Sequence, residues 1–145
     1  MLIQDLENAG SLPVLGQMLQ FGAQRQKLLV HNIANMETPD FRPVDVSVKG
    51  FQTNLAKAVD ERRAQTGGMQ GELSVEDSQE ITHSQGTLSL HPRTPSGNIL
   101  YHDRNNRDLE RMMQDLAENS LTYKATVDLM RRENDLLRAA IGQRP

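Results

Sequence analysis

Ten positions from Leu109 to Ile141 follow one rhythm of four- and three-residue steps: Leu109, Met113, Leu116, Ser120, Tyr123, Val127, Met130, Asn134, Leu137 and Ile141. A helix keeps residues at that spacing on one side, whereas a strand turns every second residue to the opposite face. The same rhythm occurs near the other end of the chain, at Leu15, Leu19, Gly22, Gln26, Leu29, Ile33 and Met36, with only Gly22 and Gln26 interrupting the apolar stripe. Two such stripes predict two long helices from opposite ends of the sequence, packed antiparallel along a heptad seam. At ~1.5 Å per residue they would run roughly 35 to 40 Å and 50 to 55 Å. Pro13 suits a first helical turn with Ser11 or Leu12 as cap, and Asn105, Asn106 and Asp108 offer capping chemistry before Leu109. Gly142 stands one residue past the last seam position. The expected fold class is mainly α, a coiled coil of N- and C-terminal helices with a short irregular middle.

The expected division of the chain is a flexible segment over residues 1–10, an N-terminal helix over 11–36, a mixed segment over 37–64, a flexible loop over 65–97 and a C-terminal helix over 98–145. Within the mixed segment, Val44, Val46 and Val48 alternate with Asp45 and Ser47 as in a short strand, and Phe51, Leu55 and Val59 then step by four as in a short helix. From "TGGMQGE" to "HPRTPSGN" the chain is rich in Gly, Ser, Thr, Gln and Pro, a composition expected to bury too little surface to offset ordering entropy.

Composition excludes several functions. Three Phe, two Tyr and no Trp leave thin material for a buried catalytic pocket. A net charge of −3 with interspersed signs provides no patch for nucleic acid. The absence of cysteine excludes disulfides and thiolate metal sites. No apolar run reaches membrane-spanning length, and "MLIQDLENAG" lacks a basic n-region and an apolar h-region, so export by a standard cleaved signal is not expected. His31, His83, His91 and His102 have no cysteine or carboxylate at ligand spacing. "TGGMQG" lacks a phosphate-loop lysine, and the acidic neighbours Asp60 and Glu61, or Glu76 and Asp77, read as solvated surface. No catalytic residue, cofactor or metal site is expected.

The stretch "HNIANMETPDF", residues 31 to 41, ends the first helix abruptly. Thr38 precedes Pro39 and is pushed away from helical geometry, so the helix should stop near Asn35 or Met36, where amide side chains can bond the freed backbone groups. Thr38-Pro39-Asp40-Phe41 then reads as a turn of type I, with negative φ at Asp40, delivering Phe41 back toward the seam.

"NIANMETPDF", at 32 to 41, resembles the asparagine-rich N-(I/L)-A-N-x-x-T-P-G-Y signature of the bacterial flagellar rod and hook axial family. "ILYHDRNNRDLERMMQDLAENSLTYKA", at 99 to 125, resembles the entry to the C-terminal helix in proximal rod members of that family. Asn32, Ala34, Asn35, Thr38 and Pro39 match the motif, Phe41 replaces its tyrosine and Asp40 its glycine. The resemblance implies a structural rod subunit in the periplasmic part of the basal body. It further implies export by the flagellar type III apparatus without a cleaved signal, polymerisation through the terminal helices, and contact with itself, other rod proteins and basal-body ring or export-gate components. Another proximal rod component, and a cytosolic helical adaptor or export chaperone using the same seam, are the alternatives. A small helical enzyme would need a polar cluster on the seam, and Ser120 and Asn134 lie about four turns apart. Two seams alone are expected to leave the free subunit largely unfolded until assembly.

Overall fold

The computed structural model describes residues 8–84, 86–94 and 109–142. Three helices and one hairpin follow in order: α1, Leu12–Ala34; α2, Val48–Thr66; β1, Ile81–Ser84; β2, Thr87–Leu90; and α3, Leu109–Gly142. The fold is mainly helical, with long helices from each end of the chain and a short antiparallel strand pair between them. The capping residues Asn105, Asn106 and Asp108, and the helix start expected at residue 98, lie outside the described residues.

α1 begins with Pro13 in its first turn, where a missing N–H costs nothing, and Leu15 N bonds Ser11 O at 3.0 Å. The Ser11 hydroxyl does not cap the helix; it donates to Glu133 of α3 at 2.9 Å. That contact joins the start of α1 to the far half of α3, and Gln26 meets Ser120 at 3.0 Å in the opposite direction along both helices, so the pair is antiparallel. α2 is punctuated more conventionally. Ser47 accepts from Gly50 N at 2.9 Å, and Gly67, at φ 73°, closes the helix by donating to Arg63 O.

The core lies between α1, α2 and the hairpin. Phe21 and Phe51 stack with centroids 4.0 Å apart and ring planes 2° from parallel, and Val46, Leu55, Ile81 and Leu88 close around them. Val14, Met18 and Leu28 of α1 pack on this cluster. The region expected to be a flexible loop therefore contributes core, because composition averaged over 65–97 hides the alternation in Ile81-Thr82-His83 and Thr87-Leu88-Ser89, which turns Ile81 and Leu88 inward. Pairing runs Ile81 to Leu90 through Ser84 to Thr87, with Gly86 at φ 78° in the tight connection. The strand expected around Val44–Val48 reduces to one bridge, Asp45 with Arg93, since Val48 already belongs to α2.

The turn after α1 also differs from expectation. Phe41 N donates to Thr38 O at 3.2 Å, so Pro39 and Asp40 are the central residues, and Asp40 has φ 60°. A positive φ at the third position is the mark of type II, not type I. Proline satisfies the second position of either type, and a short polar side chain tolerates the left-handed region better than most, so the aspartate accepts what the backbone path demands. Phe41 comes to rest against His31, centroids 5.7 Å apart, and not in the helix seam. Asp40→Gly is expected to raise stability by about 0.5 to 1 kcal/mol, the relief of left-handed strain exceeding the added chain entropy. Denaturant unfolding of the two proteins checks this; an unchanged or lower midpoint in the glycine variant would show that Asp40 is not strained.

Candidate functional site

α1 reaches the hairpin and the chain returning after its own C-terminus with amide side chains. Gln20 accepts from Leu88 N at 2.7 Å and donates to Gly86 O at 3.1 Å, while Gln24 donates to Leu88 O. These side chains treat β2 as a neighbouring strand would. Asn32, buried, does the same to the segment after the turn, donating to Val44 O at 2.7 Å and accepting from Val44 N at 3.2 Å. Two helical turns earlier Arg25, also buried, grips Asp45 through Nε at 3.0 Å and Nη2 at 2.8 Å. Asp45 exchanges both backbone bonds with Arg93 at 3.0 Å.

The other residues of the motif are placed around this clamp. Asn35 Nδ2 donates to His31 O at 2.8 Å and its backbone N–H bonds the same carbonyl, which closes the last turn of α1. Thr38 N then bonds Asn35 O, forming a second turn before the Pro39-Asp40 turn. Ala34, Thr38, Pro39 and Asp40 are exposed and Phe41 is half-buried.

On α1 the anticipated seam residues Leu15 and Leu29 are buried, with Leu19 and Ile33 half-buried. Gly22 lets α3 approach closely: a Cβ there would lie 3.2 Å from Tyr123 Cδ2. Asn119 donates to Gly22 O at 2.9 Å and to Gln26 Oε1 at 2.7 Å, and Ser120 shares the Gln26 amide. This polar layer fixes the register of the pair, because sliding either helix would leave buried amide groups unmatched.

On α3 the buried positions are Met112, Asn119 and Thr126, seven residues apart. The anticipated column of Leu116, Tyr123, Met130 and Leu137 flanks them and is half-buried apart from Tyr123, at 37% exposed. The other column is different: Val127 is half-buried, Asn134 is exposed and bonds back to Met130 O, and Leu109, Met113 and Ile141 are exposed. Asn119 and Thr126 were hidden from a reading based on apolar character, although Thr126 satisfies its hydroxyl on Thr122 O and packs as a small residue. A second stripe on α1 was equally legible by spacing: Val14, Met18, Phe21, Arg25, Leu28 and Asn32 keep the four-three rhythm and face the core cluster or the clamp.

Asn32→Asp keeps the shape of the clamp but replaces its donor with a second acceptor facing Val44 O. A loss of about 1 to 3 kcal/mol near neutral pH is expected, with partial recovery in acid when the carboxyl can donate again. Unfolding midpoints across pH measure it; equal stability of the two proteins at every pH would show that the Val44 contact contributes nothing.

Asp115 lies half-buried beside α1, and loss of hydration pushes its carboxyl above the usual value despite the opposing pull of Arg25. A carboxyl raised in the folded state binds its proton more tightly there, so its contribution favours folding in acid and is lost as pH rises through the folded value. Asp115→Asn should therefore raise the melting temperature of the monomer near pH 7 and leave it unchanged near pH 3. A lower melting temperature near pH 7 would reverse the assigned sign.

No protein-family model matches the chain. Curated relatives nevertheless span most of it. The flagellar basal body rod protein FlgB of Yersinia enterocolitica is 32% identical over 124 residues, covering 83% of this chain and 85% of the relative. FlgB of Salmonella typhimurium is 33% identical over 111 residues, covering 74% and 75%, and FlgB of Bacillus subtilis is 29% identical over 140 residues, covering 96% and 92%. The relatives match this chain over most of its length and of their own, and this chain belongs to the FlgB family of flagellar basal-body rod proteins.

Proposed function

We propose that the chain is a structural subunit of the proximal rod, polymerising through α1 and α3 to link the basal-body ring to the distal rod and to transmit torque. The observation that carries this reading is the surface of α3: Leu109, Met113, Leu121, Leu129, Leu136 and Ile141 are all exposed on a helix whose inner face is already docked on α1. Apolar side chains spread over several faces of one helix suit a helix that neighbours cover from more than one direction. The polar groups gathered at the seam support a mechanical part over a catalytic one, since Gln26, Asn119 and Ser120 consume their hydrogen bonds on one another. Export through the flagellar type III apparatus without a cleaved signal, and partners among other rod proteins and ring or export-gate components, belong to this reading.

Recovery of the chain with basal bodies after membrane solubilisation is the expected result. A chain found instead in the cytosol, bound to another exported protein, would favour an adaptor or export chaperone. Each covered apolar side chain is worth about 1.5 to 3 kcal/mol, so a charge at Leu116 or Met113 should block incorporation while secretion continues. Met113→Lys is the cleaner variant because Met113 is 49% exposed in the subunit and can change without disturbing its fold. Rods that incorporate Met113→Lys normally would remove that face from the assembly surface.

A further inference from the structure

α1 lies at the base of an open groove of about 670 Å³ that α2 and α3 also line. Val14, Met18 and Phe21 face it from α1, Leu55 and Val59 from α2, and Tyr123 from α3. Charges around it oppose one another: Arg63 stands 3.7 Å from Asp60, and Asp115 feels Arg25 and Arg111 against Asp45 and Glu118. The groove therefore offers apolar surface, and charge does not choose its occupant.

The chain itself enters at one end. Arg62 is buried and spends its guanidinium on backbone carbonyls: Nη1 donates to Gly10 O at 2.9 Å, Nη2 to Asn8 O, and Nε to Gln70 O at 3.3 Å. Gly10 N adds a bond to Met69 O at 3.0 Å. Asn8 is thereby pinned to α2 next to Val59 and Arg63, with Val14 one turn along α1 from Gly10, and all three of these side chains line the groove.

Residues 1–7 lie outside the described residues, and their composition suits the groove. Met1, Leu2, Ile3 and Leu6 are apolar, and Leu2 and Ile3 stand four and three residues from Leu6, a spacing that a helix puts on one face. Seven residues span about 10 Å as a helix and about 23 Å extended, against roughly 16 Å of α1 from Val14 to Arg25. Either form reaches into the groove from Asn8. A segment tethered beside a site meets it at an effective concentration on the order of mM, which a separate molecule has to exceed. Tether and composition name the occupant that charge leaves open.

We infer that residues 1–7 of the same chain fold back into this groove in the free subunit, placing Leu2, Ile3 and Leu6 against its apolar lining and entering from the point where Arg62 holds Asn8. The contact is intramolecular, so it covers apolar surface before any neighbour is present. A neighbour that uses the groove has to displace the segment first. The inference concerns the single subunit, goes beyond the rod reading and does not depend on it.

The chain contains no cysteine, so Ile3→Cys gives the full-length protein a single thiol. Its modification by a bulky maleimide should be roughly tenfold or more slower in the folded chain than in a free peptide of residues 1–7 with the same substitution, and equally slow at every protein concentration. Ala56→Arg, at an exposed position lining the groove, should raise the rate to that of the peptide while circular dichroism shows the helices retained. Gln52→Arg, also exposed and lining the groove, takes its place if Ala56→Arg does not fold. A peptide of residues 1–7 should bind a chain carrying Leu2→Asp and Ile3→Asp, whose groove is vacated, and leave the unaltered chain unbound. A thiol as reactive in the chain as in the peptide would overturn the inference, as would protection that survives the arginine variant or equal binding of the peptide to both chains. Protection that grows with protein concentration would overturn it too, by assigning the groove to a second copy. The rod reading is judged separately, by the presence of the chain in basal bodies.

Discussion

The two-sided hydrogen bond between the Asn32 amide and the backbone of Val44 is the interaction on which the rest of the subunit depends. It makes a helix side chain behave as the edge of a sheet, and so holds the returning chain against α1 at a distance that places Asp45 in the grip of Arg25 and Val46 in the core. From Val46 the chain reaches Ser47, which caps α2 and aims Phe51 at Phe21. From Asp45 it reaches Arg93, which ties down the segment leaving the hairpin. A buried amide left unpaired is costly, so each of these contacts selects one path for the chain as well as stabilising it.

α1 is consequently a helix with two occupied faces. One carries Phe21, Arg25 and Asn32 toward the core and clamp, and the other carries Gly22 and Gln26 toward α3. The two contacts differ in kind. The first is an aromatic and aliphatic core reinforced by amide groups; the second is a close approach over glycine locked by a polar layer. That division leaves Leu121, Leu129, Leu136 and Ile141 of α3 exposed, the surface on which the proposed rod contacts rest.

The helices and their antiparallel pairing were legible because heptad spacing is a strong signal over many turns. The line of contact on α3 was less so. Spacing alone cannot distinguish a helix with one apolar face from one with several, and Asn119 and Thr126 occupy the contact for reasons of size and hydrogen bonding that hydropathy ignores. The hairpin was missed because two inward residues, Ile81 and Leu88, sit among polar neighbours whose composition resembles a linker. The role of Asn32 was visible only as membership of a motif. Its partner Val44 lies twelve residues away across a turn, and the geometry of that turn, with Asp40 in the left-handed region, was not the one the residue preferences favoured.

The Ser11–Glu133 hydrogen bond joins residues 122 positions apart, while Asn32 and Val44 are 12 apart and Arg25 and Asp45 are 20 apart. Closing a short loop costs less entropy than closing a long one, and contacts near in sequence form sooner. The subunit therefore has a built-in order: α1, its clamp and α2 can come together from the first half of the chain, whereas α3 must find a scaffold already made. On this entropic argument the helix that displays the bare leucines is the last element expected to dock, so its exposed face takes a definite orientation only once the rest of the subunit exists to present it.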